Sequence, residues 1–165
     1  MPQLSFNSLD PRNSLRMFGW VGENVLASNL LRTQLNFVDF TLSAAQMNTL
    51  NATPVTLLAA PGAGLMNIVE YVVTFIDAGA TAFELGAGVL SFLYTDGSGD
   101  KVATDVPNAT VESATDVYYR SVGLAVAPLV NALICAKTST DVTAGDGTVY
   151  GRIAYRTITV ADLLL

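Results

Sequence analysis

At 165 residues, 51% hydrophobic and only 13% charged, the chain holds one domain's worth of core with room for an appended arm. The usual charged share is about 25%, so a surface this poor in charge points to cover by other subunits. A net charge of −6 with no histidine argues against nucleic acid as the partner and excludes a histidine-based catalytic triad or imidazole metal site.

Residues 1–36 read as an extended N-terminal arm. Pro2, Asp10-Pro11 and many Asn and Ser residues favour extended or turn conformations. Leu4, Phe6, Leu9, Phe18 and the only tryptophan, Trp20, make the segment too apolar for a solvated tail. Such an arm buries its side chains on its own body or on a neighbouring subunit, and the neighbour is the favoured host. Phe6, Leu9, Phe18 and Trp20 are the candidate partner-binding anchors, because aromatic side chains dominate interface energetics. Three arginines (Arg12, Arg16, Arg32) against Asp10 and Glu23 leave +1 in the arm and −7 in the rest, out of −6 overall. The opening MPQLSFNSLDPRN has neither the basic start nor the apolar core of a signal peptide. The uncharged apolar stretch from Ser121 to Ala136 contains Pro128 and Asn131 and falls short of the ~20 residues a spanning helix needs. The expectation is a soluble cytoplasmic product or a component of an assembled particle, with no membrane span.

The body begins at Phe37. FVDFTL reads as a strand and is followed by one short helix: Ser43 is a good N-cap, and Gln46 sits where its side chain reaches back to complete a capping box. Leu42 and Met47 have the spacing of a hydrophobic staple, and Asn51 and Pro54 end the helix. PVTLL is a strand, and APGAG at Ala60–Gly64 is a turn without the Lys-Ser/Thr of a phosphate loop.

Leu65 to Asp77 has period two. Val69, Tyr71, Val73 and Phe75 fall on one face, and Ile68, Glu70, Val72, Thr74 and Ile76 on the other. Apolar residues on both faces predict a central strand, or one whose outer face meets a partner. Asp77 to Gly88 is a connection tacked to the core by Phe83 and Leu85. Val89 to Thr95 is a strand, and DGSGD at Asp96–Asp100 turns it into another, Lys101 to Thr104. DGSGD also resembles the first half of a calcium loop, but the matching downstream glutamate is missing.

Pro107 to Ala114 reads as loop or edge. Asp116 to Ala127 is ambiguous between helix and strand, and its β-branched and aromatic content favours strand. Ala132 to Thr138 and Thr148 to Thr157 are strands. In the second, Val149, Ile153 and Tyr155 point in, and Tyr150, Arg152 and Arg156 point out. Residues 158–165, ITVADLLL, form a C-terminal extension or an added edge strand.

The sum is an all-β chain: an antiparallel sandwich of jelly-roll or Greek-key type over residues 37–157, with one short helix and the arm before it. Chemistry is scarce. Cys135 lies in an apolar run and has no histidine to activate it. Asp39, Glu70, Glu84 and Glu112 have no spacing specific to paired glycosidase carboxylates. Tyr118, Tyr119, Tyr150 and Tyr155 either form a stacking surface for sugar or protein or pack the core and its rim, the latter being favoured. No catalytic, cofactor-binding or metal-binding residues are assigned.

Five phrases in fixed order carry a family resemblance: LSAAQMNTLNATPVTLLAAPGAG (Leu42–Gly64), NIVEYVVTF (Asn67–Phe75), LSFLYTDGSG (Leu90–Gly99), APLVNALICAKTST (Ala127–Thr140) and AGDGTVYGRIAYR (Ala144–Arg156). From Ser43 to Tyr155 the chain resembles small virion proteins of tailed bacteriophages, and among these the jelly-roll head decoration, or cement, proteins. The resemblance implies a homotrimer on the outer capsid surface, bound to the major capsid protein and stabilising its lattice, without enzymatic activity. A tail, neck or host-recognition component of the same fold is the alternative. The arm and the segment after Arg156 lie outside the resemblance.

Overall fold

The computed structural model describes residues 34–163. Eight strands carry the architecture: β1 (Asn36–Leu42), β2 (Val55–Leu58), β3 (Leu65–Asp77), β4 (Val89–Tyr94), β5 (Val106–Pro107), β6 (Val117–Val122), β7 (Ile134–Thr138) and β8 (Thr148–Thr159). Two short helices, α1 (Ala44–Thr49) and α2 (Asn108–Val111), and a closing 3-10 turn (Val160–Leu163) complete it.

The strands form two four-stranded sheets, ordered β1-β8-β3-β6 and β2-β7-β4-β5. Every pairing is antiparallel. First strand pairs with last, second with seventh, third with sixth and fourth with fifth: a long two-stranded ribbon rolled until β8 also meets β3 and β7 meets β4. This is the jelly roll, so the expected all-β sandwich is the observed fold.

The local signals at the start of the body act as expected. The Ser43 N–H donates to Gln46 Oε1 at 3.0 Å, and the Gln46 N–H donates to Ser43 Oγ at 3.3 Å, a complete capping box around α1. Leu42, Met47 and Leu50 are fully buried, so the helix closes one edge of the sandwich over an apolar staple. Between the sheets, Phe40 of β1 meets Phe92 of β4 edge to face at 6.2 Å, a favoured aromatic geometry. Tyr94 is buried and donates its hydroxyl to the Asn67 carbonyl at 2.6 Å. Phe83 and Leu85 are buried and anchor the long β3–β4 connection.

Five expectations need correction. Lys101–Thr104 is not a strand. It makes single bridges, Lys101 to Leu93 and Ala103 to Gly123, because its neighbours on either side belong to different sheets and no one ladder can form. Pro107–Ala114 holds β5's last residue and a second helix, so the body has two short helices, not one. Only Val117–Val122 of the segment 116–127 is strand, and β8 runs two residues past the expected end, to Thr159.

The fifth correction concerns β3, where the register to β8 shifts between Val69 and Tyr71. The extra residue, Glu70, is a β-bulge, and a bulge reverses the facing of everything after it. Val69 points inward, yet so do Val72, Thr74 and Ile76. Tyr71, Val73 and Phe75 are thereby turned to the outside, separated from Val69 with which strict alternation grouped them.

Candidate functional site

The bulge builds the outer face of the β1-β8-β3-β6 sheet. Register places its outward residues in three rows across the four strands. The first is Phe37, Ala154, Tyr71, Val122; the second is Asp39, Arg152, Val73, Arg120; the third is Thr41, Tyr150, Phe75, Tyr118. Few sheet faces turned to water carry five aromatic rings, because each exposed ring forfeits burial free energy.

The rings are organised. Phe75 lies 4.6 Å from Tyr118 and 6.3 Å from Tyr150, centroid to centroid, a three-strand aromatic strip. The Arg120 guanidinium sits 4.5 Å from the centre of the Tyr71 ring, and that of Arg152 sits 5.9 Å from the centre of Phe37, both in range for cation–π attraction. Phe37 remains 53% exposed, Tyr150 44% and Tyr118 73%. A shallow groove of about 320 Å³ runs along the strip, bordered by Asp39, Val73, Phe75, Tyr118, Tyr150 and Arg152.

All three arginines of the body lie on β6 and β8. Arg152 grips Asp39 with two bonds, Nε to Oδ1 at 2.6 Å and the second nitrogen to Oδ2 at 2.9 Å, the bidentate geometry that guanidinium favours. The hydrogen bond from Arg152 holds the Asp39 carboxyl below its ordinary pKa. Arg156 Nε lies 2.9 Å from Glu70 Oε1 at the bulge. Among the described residues Arg120 has no acidic partner. An acidic protein therefore gathers all the arginines among its described residues on one sheet, beside its exposed rings. Beyond Val122 the chain continues into an exposed apolar loop bearing Leu124, Leu129 and Val130.

The other candidates fall elsewhere. Phe6, Leu9, Phe18 and Trp20 lie outside the described residues. Glu84 and Glu112 line a hollow of about 620 Å³ at one end of the sandwich, with Asp141. There Glu112 accepts from the backbone N–H groups of Leu85 and Gly86 at 2.6 and 2.7 Å, Glu84 accepts from the Thr143 hydroxyl at 3.2 Å, and Asp141 accepts from Asn51 at 2.9 Å. These carboxylates tie loops together, and Asp39 and Glu70 sit apart from them in ion pairs on the sheet. The Asp96 carboxylate of DGSGD accepts from the Ser98 hydroxyl at 2.6 Å, and that bond leads in holding its pKa down. The turn consumes its own acid. No cluster of three metal-ligating side chains occurs among the described residues.

The tyrosines divide. Tyr119 and Tyr155 pack against the core, whereas Tyr118 and Tyr150 stand on the outer face. Cys135 is buried, and desolvation pushes its thiol up to about 11, which removes the thiolate a nucleophile needs. No helix among the described residues is long and apolar enough to cross a membrane.

The sequence contains the signal for this face in the apolar residues on both sides of β3. It offers Tyr118 and Tyr150 only as the less favoured stacking alternative, and it does not reveal Phe37 and Arg120 as members, since they join only through the cross-strand register. No protein-family model matches the chain, and no curated protein matches its sequence.

Proposed function

We propose that this chain is a structural component of a tailed-phage virion, a head decoration protein that binds the outer surface of the assembled capsid and stabilises the major capsid protein lattice. The observation that carries the reading is the open aromatic and arginine face on a jelly-roll body. The phrase order from Leu42 to Arg156 and the apolar arm support it. The loop-tying roles of Glu84 and Glu112 fit a body built for contact and not for turnover.

The size of the face is adequate to the role. At about 200 Å² for a whole aromatic side chain, the exposed fractions of Phe37, Tyr118 and Tyr150 leave roughly 340 Å² of ring surface open. Covering it is worth about 8 kcal/mol gross at ~25 cal/mol per Å², comparable with the 4–15 kcal/mol that association itself costs. Self-association alone is thus modest, and the arm supplies further area, up to the scale of a standard ~1,600 Å² interface, on the capsid. A subunit that binds only the assembled lattice stabilises it by its binding free energy. Trimers, as the resemblance implies, or another oligomer deliver several arms at once and multiply their hold.

The test is binding of the purified chain to heads that lack it. The expected result is lattice-wide occupancy, with heads more resistant to heat, and loss of both on deleting residues 1–35 while the body stays folded. A handful of copies at a single vertex would instead assign the chain to neck or tail. Failure to bind any virion assembly would refute the proposal.

A further inference from the structure

We infer that the outer face of the β1-β8-β3-β6 sheet is complementary to itself and pairs with the same face of a second copy of this chain, about a two-fold axis running along the strands between β8 and β3. This deepens the reading of the face as a self-association surface by fixing its partner and its symmetry.

The layout of the face carries the pairing. A two-fold rotation about an axis in the plane of a face reverses the order of strands across it. Strand β1 of one copy then lies over β6 of the other, and β8 over β3. In the second row, Asp39 comes opposite the second copy's Arg120, and Arg152 opposite its Val73. Arg120 lacks an acid within its own chain, among the described residues, and the rotation supplies one, twice by symmetry. In the third row Tyr150 comes opposite Phe75, and Tyr118 opposite Thr41. In the first, Phe37 meets Val122, both more than half exposed in the single chain. The first row thus sets apolar groups against apolar or aromatic ones, the second pairs Asp39 with Arg120, the third sets ring against ring at Tyr150 and Phe75, and no like charges are directly opposed.

Size sets the strength. Four strands about 4.8 Å apart and a seven-residue β1 at ~3.4 Å per residue give a face of about 19 by 24 Å. Pairing two such faces removes about 900 Å² in all, the range of weak and transient interfaces. Sheets stack face to face in this way some 10 Å apart, their strands within about 30° of alignment. The expected product is a dimer with a micromolar dissociation constant.

The experiment uses the full chain and two charge reversals, Arg120→Glu and Asp39→Lys, in sedimentation velocity over a concentration series. The native chain should sediment as a dimer of twice the 17.4 kDa chain mass. Each variant alone sets two like-charge pairs in the interface and should raise the dissociation constant by about a hundredfold or more, using close-pair coupling energies at the low end of their range. Mixed in equal amounts, the two variants regain both opposite-charge pairs, one the native Asp39–Arg120 pair and the other its reversal. The mixture should form a one-to-one dimer of near-native affinity. Arg120→Glu breaks no ion pair among the described residues, so its result stands even if Asp39→Lys proves unstable by circular dichroism. A native monomer or trimer, an undiminished Arg120→Glu dimer, or a folded mixture that stays monomeric would overturn the inference. Intact dimers that ignore heads would overturn the virion reading alone, and monomers that bind heads would overturn the pairing alone.

Discussion

Gly151 in β8 lies beneath the ring of Phe40, and a Cβ there would stand 2.2 Å from Phe40 Cζ and 2.5 and 2.8 Å from the two Cε atoms. The ring cannot simply lift, because its other side meets Phe92 of the facing sheet edge to face. Gly151→Ala therefore forces Phe40 out of its position and spreads the sheets. Overpacking of this kind costs about 1–3 kcal/mol; with Phe40 only 9% exposed, we expect about 2 kcal/mol. At roughly 3–4 °C per kcal/mol for a chain of this length, the melting temperature should fall by about 6–8 °C. The assay is urea unfolding of the native chain, Gly151→Ala, Phe40→Leu and the double variant. Phe40→Leu makes room for the new methyl, so the two changes should couple by about 1 kcal/mol or more in the sense of rescue. A Gly151→Ala protein as stable as the native chain, or strict additivity in the cycle, would refute this packing of the core.

Three more outcomes rest on named groups. Thr138 is fully buried and its hydroxyl has no hydrogen-bond partner among the described residues, so Thr138→Val should stabilise the body by about 1 kcal/mol, read from the urea midpoint; a loss of stability would show that the hydroxyl is engaged. Ser43→Ala removes the capping box of α1 and should cost about 1 kcal/mol, again by urea midpoint, with Ser43→Asp close to neutral. The Asp39 carboxyl, held below its ordinary value by Arg152, should titrate by NMR beneath the usual aspartate range and return to it in Arg152→Met. Because the folded value is the lower one, the pair's contribution is present above the ordinary aspartate pKa of about 3.9 and is lost as pH falls through the folded value.

Legibility in the sequence tracked the range of the interactions. The Ser43 capping box, the extent of β3 from Leu65 to Asp77, the loop anchors Phe83 and Leu85, and the in–out alternation of β8 are local patterns, and each reads correctly from a few residues. The turn at DGSGD is equally local. The segment after it is not: whether Lys101–Thr104 forms a ladder depends on its lying between β4 and the end of β6, which belong to different sheets. The helix Asn108–Val111 is a single turn, too short for any periodicity to announce it.

The face was half legible for the same reason. Apolar residues on both sides of β3 predict either a central strand or a partner on its outer side, and β3 is central in the sheet. Its outward rings, however, depend on one inserted residue, Glu70, because a single-residue slip exchanges the two faces of a strand. The Gly123 N–H donates to the Glu70 carbonyl at 2.9 Å, and a Cβ at Gly123 would fall 2.1 Å from the Val69 carbonyl oxygen. The glycine therefore permits the bulge through a contact some fifty residues away in sequence, which no local pattern encodes.

The central claim is that the outer face of the β1-β8-β3-β6 sheet is covered by protein when this chain is at work. Oxidative footprinting of Tyr118, 73% exposed in the single chain, tests it most directly, with the chain first dilute and then assembled on particles. Strong protection of Tyr118 on assembly is the expected result, with the buried Tyr94 unreactive in both states. Equal labelling of Tyr118 in the two would contradict it.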